Sequence, residues 1–88
     1  MIMFFTDANC ERCKEVKNRL KDDNIIFAMY ETYDDAITLF KYGVDIVPTI
    51  IILKGREEIF RLVGCDEKPL EELLDAMRKK RATLYVKV

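Results

Sequence analysis

Residues 1–20 read MIMFFTDANCERCKEVKNRL, and the change of period inside this stretch decides the fold. Met1 to Thr6 is a continuous apolar run, as expected of a strand covered on both faces. From Glu11 to Asp23 the period lengthens: Cys13, Val16 and Leu20 recur at helical spacing, with Lys14, Lys17, Arg19 and Lys21 between them. A buried strand therefore passes into an amphipathic helix through a short turn, and that turn carries Cys10-Glu11-Arg12-Cys13.

Reading outward, Ile25 to Glu31 is rich in apolar and aromatic residues and predicts a second strand. Strand, helix, strand implies a parallel pair with a right-handed crossover. Thr32 with Asp35 three residues on predicts the cap of a helix carrying Ala36, Leu39 and Phe40 on one face, and Gly43 ends it. After Pro48, Thr49 to Leu53 holds three consecutive isoleucines, the mark of a buried strand. Lys54-Gly55-Arg56 turns the chain, and Glu57 to Val63 returns as the other arm of a hairpin. Leu70, Leu73, Leu74 and Met77 then fall at i, i+3, i+4 and i+7 of a last helix. Asp66 can cap it, and Pro69 suits an initial turn beginning at Lys68. Leu84, Val86 and Val88 alternate with Thr83, Tyr85 and Lys87 and predict a short extra strand.

The expected fold is α/β: a four-stranded mixed sheet in the order βαβ, helix, β-hairpin, helix, with helices on both faces. Residues 1–81 form one domain, and 82–88 form a tail that could add an edge strand within the molecule or across a dimer.

A chain of 88 residues is one domain, and 50% hydrophobic against 35% charged residues excludes disorder. Fifteen basic and sixteen acidic side chains leave a net charge of -1, which removes nucleic acid as an expected partner. Three cysteines, an odd number, argue against a secreted disulfide framework and for a reducing compartment. The apolar run at Met1–Phe5 is too short for a signal-peptide core or a membrane span, so a soluble, cytoplasmic protein with no membrane partner is expected. With no histidine, any chemistry here runs on sulfur.

Two cysteines three apart at a helix start can approach closely enough to form a disulfide. Unpaired N–H groups and the helix dipole lower the pKa of Cys10 below the free value of about 8.5 and make it the nucleophile. Cys13, one turn inside on the core-facing stripe, suits the resolving role. Between them Arg12 favours the thiolate and Glu11 opposes it, so both are expected to tune it. Zinc needs about four ligands and Cys65 is the one further thiol, so no metal is expected. The plain alternative is a pair of cysteines that merely pack near a helix start.

Cys10-x-x-Cys13 after the first strand, Val47-Pro48-Thr49 before the hairpin and Gly64 at its end resemble, in that order, the thioredoxin superfamily, and the short chain is similar to its glutaredoxin-sized members. The resemblance implies a cis Val47–Pro48 peptide facing the cysteine pair, with the backbone of Val47 pairing with an extended substrate. Gly64-Cys65-Asp66 is similar to the glutaredoxin segment that meets glutathione, with Asp66 as a contact. Departures run both ways. Val63, Asp7, Glu11 and Arg12 stand where glutaredoxins commonly carry glycine, a basic residue, proline and an aromatic. Asn9, Glu11-Arg12 and Phe4 replace the tryptophan, Gly-Pro and buried aspartate of thioredoxin. Residues 44–49 and the Lys54-Gly55 turn resemble thioredoxin more closely.

What the resemblance implies is a dithiol thiol-disulfide oxidoreductase in which Cys10 attacks and Cys13 resolves. It would hold no tightly bound cofactor, act on disulfide-bearing proteins as a monomer or weak dimer, and draw electrons from a reductase or from glutathione as co-substrate. Competing expectations are an iron-sulfur or glutathione-binding carrier of glutaredoxin type and a non-catalytic adaptor that binds through the groove or an edge strand. Cys65 is either inert packing or an exposed thiol open to glutathionylation.

Overall fold

A computed structural model of the chain describes residues 1–86, with side chains described through Lys80. Its elements are β1 (Ile2–Thr6), α1 (Glu11–Asp22), β2 (Ala28–Glu31), α2 (Ala36–Lys41), β3 (Thr49–Lys54), β4 (Glu57–Val63) and α3 (Glu67–Val86). The strands form one mixed sheet in the order β2-β1-β3-β4. β1 runs parallel to β2, with Met3 opposite Ala28 and Phe5 opposite Tyr30. It runs antiparallel to β3, with Phe4 opposite Ile50.

The continuous apolar run of β1 is explained by its central place, because alternate residues serve two cores. Phe4 and Ile50 join Cys13, Val16 and Leu20 of α1 and Leu70 and Leu74 of α3 on one face. Met3, Phe5 and Ile51 join Leu39 of α2 and Val44 on the other. Fully burying each such side chain is worth about 1.5–3 kcal/mol, so the two faces together fix the strand register. Helices on both faces of a four-stranded mixed sheet are as the sequence pattern implies.

Three local expectations are corrected. The second strand starts at Ala28 instead of Ile25, because the preceding residues close the end of α1. Asn24 turns left-handed at φ 58° and the Ile25 N–H donates to the Leu20 carbonyl at 3.0 Å. Ile26 is left 91% exposed, while Phe27 packs edge-on to Phe4 with centroids 5.6 Å apart.

The second correction concerns α2. It begins after Asp35 and not after Thr32, because Thr32 Oγ1 donates to Asp7 and Asp35 accepts instead from the Glu31 N–H. Of its expected apolar face only Leu39 is buried; Ala36 is exposed and Phe40 is 88% exposed. Gly43 does close the helix, at φ 65°, with its N–H donating to the Phe40 carbonyl.

The third lies at the C-terminus. α3 runs on to Val86 where a strand from residue 82 was expected, and residues 87–88 lie outside the described residues. An alternation of a few residues does not separate strand from helix, and extending a formed helix needs no new nucleus. At its start, α3 takes Glu67 as first residue, the Leu70 N–H donates to the Asp66 carbonyl at 3.0 Å, and Pro69 sits in the first turn, where its missing N–H is harmless. Among the described residues no helix is long and apolar enough to cross a membrane.

Candidate active site

The turn between β1 and α1 is built by Asp7. Its Oδ1 accepts the Asn9 N–H at 2.9 Å, its carbonyl accepts the Cys10 N–H at 3.2 Å, and its Oδ2 accepts the Thr32 hydroxyl at 2.6 Å from beyond β2. The Thr32 hydroxyl and then the Asn9 amide hold the Asp7 carboxyl below its ordinary pKa. Asp7 is therefore an anion beside the start of α1.

Cys10 is the N-cap of α1, extended at φ -104° and ψ 110°, and its sulfur accepts the Cys13 N–H at 3.1 Å. This sulfur occupies the place that a serine or aspartate oxygen takes in an ordinary cap. Cys10 and Cys13 are joined in a disulfide with Cα atoms 5.2 Å apart. Cys13 is buried with Val16 and Leu20, whereas Cys10 is half-buried at the edge of that cluster. The outer sulfur can meet a partner, and the inner one is screened by the helix.

Val47–Pro48 is a cis peptide. Val47 packs against both cores, and Cys10 packs against one of them. The Gly64 N–H donates to the Pro48 carbonyl at 2.8 Å, which ties the end of β4 to the proline loop. Gly64 stands at φ 80°, so its residue type is set by backbone conformation, while a methyl added there would meet nothing within 4 Å. Asp66 is exposed and contributes its carbonyl to the start of α3. The structure thus brings Cys10, Cys13, Val47, Pro48 and Gly64 to one end of the sheet.

The two residues expected to tune the pair are placed differently. Glu11 is exposed and paired with Lys14 at 3.5 Å. Arg12 reaches across to α3 and the turn before it: Nε and Nη2 donate to the Cys65 carbonyl at 3.2 and 2.7 Å, and Nη1 meets Glu15 at 2.9 Å and Glu67 at 3.2 Å. Cys65 is fully buried in the core below, and burial pushes its thiol up to about 12. That is the inert reading of this residue. Neither the fork from Arg12 to Cys65 nor the bond from Thr32 to Asp7 is signalled by sequence spacing, since each joins residues far apart in the chain.

No protein-family model matches the chain. The SPbeta prophage-derived thioredoxin-like protein YosR of Bacillus subtilis is 37% identical over 71 residues, covering 80% of this chain and 89% of YosR. Among solved structures, thioredoxin 1 of Thermosipho africanus superposes with a TM-score of 0.69 at 20% identity, covering 96% of this chain and 97% of its own. A thioredoxin f2 solved in complex with ferredoxin:thioredoxin reductase superposes at 0.72 with 19% identity, covering 88% and 76%.

Proposed function

Since the chain belongs to the thioredoxin superfamily and is a thiol-disulfide oxidoreductase, we propose that it reduces disulfides of protein targets in the cytoplasm through Cys10 as nucleophile and Cys13 as resolving thiol. The observation that carries this reading is the Cys10 sulfur at the N-cap of α1, accepting the Cys13 N–H at 3.1 Å. Once reduced, a sulfur in that position gains most as a thiolate, because the N–H groups and the dipole of the first turn favour negative charge.

The exchange then runs in two balanced steps. Cys10 thiolate attacks one target sulfur, forming a mixed disulfide while the target S–S bond breaks and the leaving thiolate takes up a proton. Cys13 loses its proton and attacks the Cys10 sulfur; the Cys10–Cys13 disulfide forms and the second target sulfur leaves and is protonated. Two electrons pass to the target. The extended target segment lies along Val47 and Gly64, with the exposed Asp66 at its margin.

Regeneration is assigned to a thioredoxin-reductase-type protein, with glutathione the weaker donor and no tightly bound cofactor. The anionic Asp7 beside the site opposes the carboxylates of glutathione. A thioredoxin of this fold solved with its reductase supports the same assignment. The test is turnover of insulin disulfide and of a small glutathione mixed disulfide, with thioredoxin reductase or glutathione plus its reductase supplied in turn. Turnover on insulin with thioredoxin reductase is expected; absence of turnover with either supply contradicts the reading.

A further inference from the structure

Cys65 follows Gly64 in an unusual pair of left-handed residues, at φ 80° and φ 48°. A non-glycine residue costs roughly 1–2 kcal/mol in that region, so the conformation persists only where the surroundings hold it. Two ties do so. From one side the Gly64 N–H is bonded to the Pro48 carbonyl, and from the other the Arg12 guanidinium forks onto the Cys65 carbonyl through Nε and Nη2. Arg12 stands between the two cysteines in sequence, so the fork joins the turn bearing the reactive sulfur directly to the Gly64 side of the target groove.

The charge of Arg12 is already answered. Glu15 and Glu67 both meet Nη1, and Glu67 also pairs with Arg19 two turns further along α1. Paired with two carboxylates and forked onto a carbonyl, this cation acts on the Cys65 thiol, whose rise in pKa it opposes. Its geometry is specific: a planar fork holds the carbonyl at two nitrogens, which a single ammonium does not reproduce.

We infer that Arg12 is a positioning residue that sets the width of the target groove by holding the Gly64–Cys65 turn against the start of α1, so that it governs protein-target affinity and not Cys10 ionisation. This rests on the oxidoreductase reading above. The test compares wild type with Arg12→Ala and Arg12→Lys on two readouts: KM and kcat for insulin disulfide, and the pH profile of Cys10 alkylation in the reduced protein. Both variants should raise KM about tenfold, the loss expected for a charge-assisted hydrogen bond, with kcat changed less than twofold and the alkylation midpoint unmoved.

Arg12→Lys keeps the charge and guards against an alanine variant that does not fold. A midpoint that moves upward in Arg12→Ala would make Arg12 a thiolate tuner and overturn the inference. So would a wild-type KM in Arg12→Lys, which would mean that charge alone suffices, or a loss confined to kcat. A wild type that reduces neither insulin nor a small disulfide overturns the oxidoreductase reading itself and carries this inference down with it.

Discussion

The buried thiol of Cys65 allows a quantitative test of how the core is closed beneath the site. Burial pushes this group up to about 12, with Arg12 opposing part of the shift. At pH 7 a thiol of that pKa is ionised in roughly one molecule in 10⁵, against roughly 3% for a free cysteine near 8.5, so ionisation alone slows its alkylation about 3,000-fold. The assay is iodoacetamide labelling of the reduced protein, resolved by peptide mass spectrometry, with a denatured sample giving the free rate. Cys10 should label first and Cys65 last. The sign for stability also follows. The folded pKa lies above the unfolded one, so the stabilisation is complete below about pH 8.5 and is lost as pH rises toward 12, at about 1.4 kcal/mol per pH unit. In the oxidised protein, where Cys10 and Cys13 do not titrate, Cys65→Ala should lack this alkaline decline. Native Cys65 labelling within tenfold of the denatured rate, or identical alkaline profiles for wild type and variant, would refute the reasoning.

Three other outcomes are expected. Cys13→Ser should accumulate a mixed disulfide with insulin at Cys10, visible on non-reducing gels, whereas Cys10→Ser should form none and lose turnover by at least about a hundredfold. Thr32→Val removes the largest cause of the lowered Asp7 pKa. An NMR titration should show the Asp7 carboxyl returning toward the usual range near 4, and the stability that wild type holds above that pH, lost as pH falls through the lowered pKa, should be smaller in the variant. Gly64→Ala should cost about 1–2 kcal/mol in denaturant unfolding from its φ of 80° alone, since the added methyl has open space, and a larger loss would point to a clash that the structure does not contain.

Much of this fold was legible because the residues that decide it are strictly patterned. Met3, Phe4 and Phe5 must all be apolar in a strand buried on both faces, and Cys13, Val16 and Leu20 can share one face only as a helix. The placement of Cys10 at a helix start followed from that junction, and with it the pairing to Cys13. The misread segments are those where another partner, near or far in the chain, outbid the local signal. Thr32 looked like a cap because its neighbour three residues on was acidic, yet its hydroxyl serves Asp7, twenty-five residues earlier. Ile25 to Phe27 looked like strand because they are apolar, yet the end of α1 claims the Ile25 N–H. Leu84 and Val86 alternate as a strand would, but a helix already in progress continues through them. Arg12 was read by its charge, and only the folded chain brings the Cys65 carbonyl to its guanidinium.

The most direct test of the central claim is the pH dependence of Cys10 alkylation in the reduced protein, followed by mass against Cys13 and Cys65. An outer sulfur held at the N-terminus of α1 should ionise with a midpoint clearly below the free value of about 8.5 and outpace the other two thiols near neutrality. A midpoint at or above that value would contradict the account, because the helix start would then offer the sulfur nothing.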